Sequence, residues 1–297
     1  QGVEPAVVDA AARGALGHPM GPLQLLDFTG LHTHLASSET ALREFGDPRY
    51  RPIPIVRRLV RNGMTGRDAG RGFYDYATER PRTAAERVVA TPADAGGAAV
   101  AVTGPDAGAP AGHGREGADV VLYRCLGTPS PADADAVREL AARAAVVVDG
   151  SDGRWLDLLP EGAGWLRLHP TPAGGFFAEV VDDEVAGVRP GPPVATVLGA
   201  FGAPSVRVPA LPGFVADRLA FCMANEAMAV VEEGTASADD VDVALRLAMN
   251  HPLGPFEHVG RLGARVVHEG LRSMVEVTGD PRYRPAQLLR RRAAGAS

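Results

Sequence analysis

Ser151, Asp152 and His169 are the residue types of a hydrolase triad, in which a base takes the proton of a nucleophilic hydroxyl. No nucleophile-elbow motif accompanies them, so that reading has little behind it. His32 and His34 would suit a metal, but two histidines without a third spaced ligand do not define a site, and none is expected. Gly112-His113-Gly114-Arg115-Glu116-Gly117 spells the dinucleotide pattern G-x-G-x-x-G. The pattern works only between a strand and a helix whose N-terminus holds the pyrophosphate, and here a strand-like run follows it. The better-placed turn, Gly104–Pro110, contains prolines that suit no phosphate-binding helix. Arg49, Arg51, Arg282 and Arg284 could meet phosphates as bidentate donors; their plainer role is packing and salt-bridging at a helix–helix turn. Every Lys or Arg in the chain is Arg, 30 in all. Without lysine there is no Schiff-base chemistry and no Walker-type phosphate loop.

Around these residues lies a chain of 297 positions, 45% hydrophobic, with a formal net charge of −6. It is apolar enough for real cores and long enough for two or three domains. The acidic balance argues against a nucleic-acid or membrane-surface partner. Cys125 and Cys222 sit in apolar text, as free thiols do in a reducing cytoplasm. No apolar run is long enough to span a bilayer.

The elements that must position the chemistry are written partly in duplicate. Laid over each other without a gap, 1–58 and 234–291 are identical at about a third of positions, a similarity that outranks local readings. His18-Pro19-Met20-Gly21-Pro22 answers His251-Pro252-Leu253-Gly254-Pro255, and Gly46–Pro52 answers Gly279–Pro285. The second copy is led in by an apolar helical segment, Leu211–Glu233, that the first lacks. The first copy runs on to Gly70-Arg71-Gly72-Phe73-Tyr74-Asp75-Tyr76, which the second lacks. The chain is therefore expected to begin inside a domain, as Gln1 in place of an initiator Met also implies.

Helices are expected over Glu4–Leu16, from Pro22 and over Pro54–Asn62, with proline well placed at a first helical position. Short β-branched runs at 98–103, 119–125, 144–148, 165–169, 176–181 and 205–208 read as strands. A helix start at Ser130 between the second and third gives β-α-β order, hence a parallel sheet. The expected divisions are a first helical domain, 1–78, a linker, 79–96, a sheet domain, 97–210, and a second helical domain, 211–297.

Pro212-Gly213-Phe214-Val215-Ala216-Asp217-Arg218, Asn225-Glu226-Ala227, the Pro-x-Gly-Pro turn at 252–255 and Gly66-Arg67-Asp68-Ala69-Gly70-Arg71-Gly72-Phe73-Tyr74 together resemble the C-terminal domain of the 3-hydroxyacyl-CoA dehydrogenase family. The resemblance implies an α/β plus all-α protein. Helical 3-hydroxyacyl-CoA dehydrogenase C-terminal-type domains would lie on either side of a reduced Rossmann-like parallel-sheet domain. The whole is similar to the C-terminal portion of bacterial enzymes of the 3-hydroxybutyryl-CoA dehydrogenase type that carry two such helical domains.

That resemblance implies NAD-dependent oxidation of the 3-hydroxyl of an acyl-CoA, with NAD bound by a domain upstream of Gln1. It implies a catalytic His hydrogen-bonded to a Glu about twelve positions later. His169 and Glu179 match this dyad at a spacing of ten. Ser151 stands as a remnant of the family's Ser-Asn-Thr-Ser turn, and Asp217 replaces an Asn that would donate to a substrate oxygen. A vestigial, structural sheet domain is the simpler expectation for 97–210. The alternative function is a non-catalytic structural or dimerisation module, with the helical domains paired as an intramolecular pseudo-dimer or the chain as a homodimer. Such pairing would bury Leu25, Leu26, Leu219 and Met223. A further possibility is a domain swap that places 211–233 of one chain in the first copy of another.

Overall fold

The computed structural model describes residues 2–94, 98–107 and 118–295. The Gly112–Gly117 pattern lies outside the described residues.

The first copy consists of α1 (Pro5–Leu16), α2 (Pro22–Thr29), α3 (Leu31–Phe45) and α4 (Pro54–Arg61). It ends in the 66–76 segment. Residues 79–96, expected as a linker, contain α5 (Pro81–Arg87), whose Pro81, Ala84 and Ala85 are buried. The middle comprises β1 (Val100–Thr103), β2 (Val120–Arg124), α6 (Pro131–Ala141), β3 (Ala145–Asp149), α7 (Trp155–Leu158), β4 (Gly164–Pro170), β5 (Phe176–Val181), α8 (Pro192–Ala200) and β6 (Ser205–Val208). The long α9 (Ala216–Glu232) leads into the second copy, α10 (Ala238–Met249), α11 (Pro255–Leu262), α12 (Ala264–Thr278) and α13 (Gln287–Ala294). Every helix of the first copy recurs in the second at an offset of 233 residues, ends included.

The repeated His-Pro-x-Gly-Pro text has a physical cause. Asp9 is buried, and its carboxylate accepts from Leu23 N at 2.8 Å and Gln24 N at 2.9 Å. Those are first-turn donors of α2 with no partner inside the helix. Asp242 does the same for α11, accepting from Phe256 N at 2.9 Å and Glu257 N at 3.0 Å. Each carboxylate lies against the glycine before the proline, and a Cβ at Gly21 or Gly254 would run into it. Pro22 and Pro255 then occupy the first helical position, where a missing N–H costs nothing.

The sheet has the order β1-β2-β3-β4-β5-β6. β1 to β4 are parallel, but β5 runs antiparallel to β4, and β6 follows β5. The parallel sheet expected from the β-α-β pattern is thus found at every pair but β4–β5, since alternation along a strand fixes its faces and not its direction. One face, with Val120, Leu122, Val147, Leu166 and Val180, packs on Val194 and Val197 of α8. The opposite face, with Val121, Val146, Trp165 and Phe177, packs on α1, α9 and α12 as one continuous core. Leu25, Leu26, Leu219 and Met223 stay only partly buried. Between the copies the contact runs instead through α1 on α9, through the Asp-Pro-Arg-Tyr turns and through His18 stacked on His251 at 4.0 Å. Among the described residues no helix is long and apolar enough to cross a membrane.

Candidate active site

The site residues meet where the carboxyl ends of β3 and β4 approach the start of α9. Asp149 ends β3, Arg167 and His169 lie two apart on β4, and Glu179 lies on β5 directly opposite Arg167. The α9 start is an unusual turn. Gly213 and Phe214 both have positive φ, at 76° and 40°, and only the first is free of a side-chain penalty there. The turn is held by Gly213 N donating to Ser151 O at 2.7 Å and by Phe214 packing on Trp165. It aims the first backbone N–H groups of α9 at Glu179. Val215 N donates to its Oε1 at 2.7 Å and Ala216 N to its Oε2 at 3.0 Å. A carboxylate at a helix N-terminus is well placed against the helix dipole.

His169 and Glu179 do come together, Nε2 to Oε2 at 2.9 Å. The other ring nitrogen, Nδ1, faces Asp217 Oδ1 at 3.6 Å. Asp217 Oδ2 in turn accepts from Ser151 Oγ and from Arg167 Nε, each at 2.8 Å. Arg167 also reaches Asp149 at 3.3 Å and Leu168 O at 2.7 Å. Asp149 is completed by Leu168 N at 2.9 Å and Arg124 Nε at 2.8 Å. Exposure is 4% for His169, 0% for Glu179, 2% for Asp217 and 1% for Arg167.

Charges this deep persist only when matched. Burial opposes ionisation of Asp217, but the Arg167 guanidinium, His169 and the hydrogen bonds from Arg167 and Ser151 hold its carboxyl below the usual range. Burial likewise works against the Arg167 charge, and the carboxylates of Asp217 and Asp149 overcome it. His258, behind this network, is pushed down to about 4, chiefly by burial; Asp217 pulls the other way, while His169, Arg167 and Arg261 add to the depression.

The four expected site residues, His169, Glu179, Ser151 and Asp217, therefore lie in one network. Asp152 points elsewhere, accepting from Ser273 Oγ at 3.1 Å and Thr128 Oγ1 at 3.2 Å, so no Ser151–Asp152–His169 triad forms. His32 and His34 lie on α3, and among the described residues no three His, Cys, Asp or Glu side chains are grouped to hold a metal. Arg49 bonds Glu226 at 3.2 Å and Glu233 at 3.3 Å across the copies, whereas Arg282 pairs with its own Asp280 at 2.5 Å. Sequence reasoning overlooked Arg167, Asp149 and Arg124. The signal for Arg167 is the spacing itself: twelve positions before Glu179 stands an arginine.

Among the described residues the sheet does not fit a dinucleotide. Such cofactors bind at the carboxyl ends of strands where the strand order reverses. Here the order climbs from β1 to β6 without reversal. The carboxyl ends of β2 and β3 are already joined by the Arg124–Asp149 pair.

Comparison with known proteins agrees with this anatomy. The family described as 3-hydroxyacyl-CoA dehydrogenase, C-terminal domain, matches residues 1–76 and again 213–295, the two helical copies with α9. The 3-hydroxyadipyl-CoA dehydrogenase of Escherichia coli (strain K12) is 29% identical over 296 residues, covering 97% of this chain and 54% of that protein. The 3-hydroxybutyryl-CoA dehydrogenase of Bradyrhizobium diazoefficiens is 43% identical over 74 residues, 25% of each chain. A crystal structure of 3-hydroxybutyryl-CoA dehydrogenase from Escherichia coli K12 superposes with a TM-score of 0.69 at 26% identity, covering 99% of this chain and 56% of that one. The chain thus spans about half the length of the relatives it matches along its whole extent.

Proposed function

This chain belongs to the 3-hydroxyacyl-CoA dehydrogenase family, and from that premise we propose that it serves the family's reaction as framework, with hydride transfer seated elsewhere. The reaction passes hydride from C3 of a 3-hydroxyacyl-CoA to NAD while the 3-hydroxyl gives up its proton. In this reading NAD is held outside the 98–208 sheet. Acyl-CoA is the substrate of the protein to which the chain contributes. Cys125 and Cys222 are free thiols, in keeping with a reducing cytoplasm.

One observation carries the proposal: both nitrogens of the His169 ring face buried carboxylates. A general base needs one nitrogen turned to the proton it takes and the other held by its orienting group. His169 is oriented by Glu179 at Nε2, Asp217 lies 3.6 Å from Nδ1, and the residue is buried at 4% exposure. Glu179 is equally committed, capping α9 as well as holding the imidazole. Asp217 carries negative charge where a developing oxyanion would need a donor. The same groups make sense as a clamp, since each joins a strand of the sheet to the helix that leads the second copy. The paired helical copies form a pseudo-dimer within one chain.

The test is a fluorescence titration of the 297-residue chain with NADH, with and without acetoacetyl-CoA. No saturable binding at millimolar NADH is expected. Saturable binding strengthened by the acyl-CoA and lost in His169→Ala would overturn the framework reading.

A further inference from the structure

The chain contains three asparagines, Asn62, Asn225 and Asn250, and only Asn62 is followed by glycine. In that dipeptide the following peptide nitrogen can attack the side-chain amide most freely, because glycine puts no Cβ in the way. Two aspartates also precede glycine, Asp149 and Asp152, but both are buried and their carboxylates are hydrogen-bonded. Asn225 is held through both ends of its amide, Nδ2 donating to Arg284 O at 3.0 Å and Oδ1 accepting from Ala286 N at 2.7 Å. Asn62 is held by nothing of the kind. It and Gly63 are exposed, its side chain has no hydrogen bond among the described residues, and a Cβ built on Gly63 would meet no other atom.

Asn62 is the C-cap of α4, with ψ 12°, and Gly63 follows at φ 72°. In this turn Gly63 N donates to Val60 O and Met64 N to Leu59 O, each at 3.0 Å. Attack requires Asn62 ψ to rotate and the Gly63 bond to open. That costs little at the exposed end of an eight-residue helix, since such ends fray. The surroundings then favour the reaction. From Pro48 to Arg67 there is no acidic residue, and Asn62 lines a cleft with Arg51, Arg57, Arg58, Arg61 and Arg282. Arg58 and Arg61 are exposed and form no ion pair among the described residues. Nearby cations ease loss of the Gly63 amide proton and stabilise the oxyanion that forms on Asn62 Oδ1. We propose that Asn62-Gly63 is a site of spontaneous deamidation, which supplies the arginines of α4 with the counter-charge they lack. The Gly63 nitrogen gives its proton to water and bonds to Asn62 Cγ, the bond from Cγ to Nδ2 breaks, and ammonia leaves. Water then opens the resulting succinimide at either carbonyl, giving aspartate or isoaspartate; nothing is oxidised or reduced. The new carboxylate lies one helical turn from Arg58 and next to Arg61.

The test is incubation of the 297-residue chain in mildly alkaline buffer, with tryptic peptides read by mass spectrometry at intervals. Trypsin releases 62–67, which is bounded by Arg61 and Arg67. This peptide should gain the mass of an amide turned into an acid, in two separable forms, while the peptides holding Asn225 and Asn250 stay unchanged. An acidic isoform should accumulate in step on isoelectric focusing and be absent from Asn62→Gln. In Arg58→Ala/Arg61→Ala the conversion should be about threefold slower, the effect of charges one helical turn away in water. Both side chains are exposed and unpaired, so the double variant keeps its melting temperature and the slowing is not a change of fold. Conversion as fast as in the parent overturns the role given to the arginines. Asn62 still intact after the same hexapeptide free in solution has converted overturns the site, as does conversion of Asn225 or Asn250 ahead of it.

Discussion

The two helical copies share their text and their backbone, yet they are attached to the rest of the molecule by different means. The second copy is joined to the sheet by ions and hydrogen bonds, through α9, Asp217 and the Glu179 cap. The first lies on the sheet through small residues of α1. Ala10, Ala11 and Ala15 are buried, and Gly14 is packed so closely on Phe177 that a Cβ there would meet the ring. Asp27 of the first accepts from Phe73 N at 2.9 Å and Tyr74 N at 3.0 Å, which ties down the 66–76 segment. Its equivalent in the second is Gly260. A repeated fold can thus keep its own packing rules while its attachment to the rest of the molecule diverges.

The largest effect is expected where the polar attachment is cut. Arg167→Ala leaves Asp149 and Asp217 buried without their shared cation, which should cost about 3–5 kcal/mol. Thermal unfolding followed by circular dichroism would read it. If the second copy depends on this clamp, the variant should show early loss of α9–α13, seen as fast amide exchange there, while α1 stays protected. Exchange that rises equally in both copies would erase the distinction.

The next comparison pits the same residue against itself. Asp9→Ala and Asp242→Ala each remove a helix cap, worth about 0.5–2 kcal/mol. Asp9 carries more, because Tyr74 Oη donates to it at 2.7 Å and so links α1 to the 66–76 segment. Asp9→Ala should therefore be the more damaging by about 1–2 kcal/mol, with Tyr74→Phe recovering most of that difference. Equal losses in urea melts would mean the tyrosine bond contributes nothing.

Much of this anatomy was legible in the sequence, and the rest was not for identifiable reasons. The sequence located α1, α2 and α4 of the first copy, because N1 proline and a closing glycine are local signals, whereas Asp9, fourteen residues from the α2 donor it caps, carries no local signal. α5 escaped, since a seven-residue helix rich in Arg, Thr and Ala has little periodicity and is fixed by packing of Ala84 and Ala85. α3 is similarly masked by Ser37 and Ser38, and its ends are set by Gly30 and Gly46 at positive φ. In the site, attention to His169 was sound for proximity to Glu179. It hid Arg167, because an arginine on a strand reads as a surface residue until its two carboxylates are placed beside it.

Smaller again is the response to acid at the seam. His18, stacked on His251, is pushed down to about 4 by burial first, then by the neighbouring His251 and His258. His251 is shifted down too, by burial. A histidine whose folded pKa lies below its unfolded value near 6.5 leaves stability intact above that value. Stability is lost as pH falls from about 6.5 towards 4, at up to about 1.4 kcal/mol per pH unit for each group. Between pH 7 and 5.5 the loss from His18 should be about 1 kcal/mol, and His18→Gln should flatten that part of the curve. A slope in urea melts that His18→Gln leaves unchanged would assign the acid sensitivity to other groups.

The smallest effect tests the seam's ion pairs. Arg49 bridges the copies to Glu226 and Glu233, both about half exposed, while its equivalent Arg282 turns back to Asp280 within its own copy. Exposed pairs contribute little because solvent screens them and ordering two long side chains costs entropy. Arg49→Ala should then cost less than about 1 kcal/mol, and more at low salt than at high. Arg282→Ala should cost no more, although its bond to Asp280 is shorter, since that pair is formed within one turn and links nothing distant. A difference in salt dependence between the two variants, read from melting temperatures at low and high ionic strength, would separate a contact that joins the copies from one that only stiffens a turn. If both variants respond to salt alike, the seam is held by shape, through α1 on α9 and the stacked imidazoles, and its charges are incidental to it.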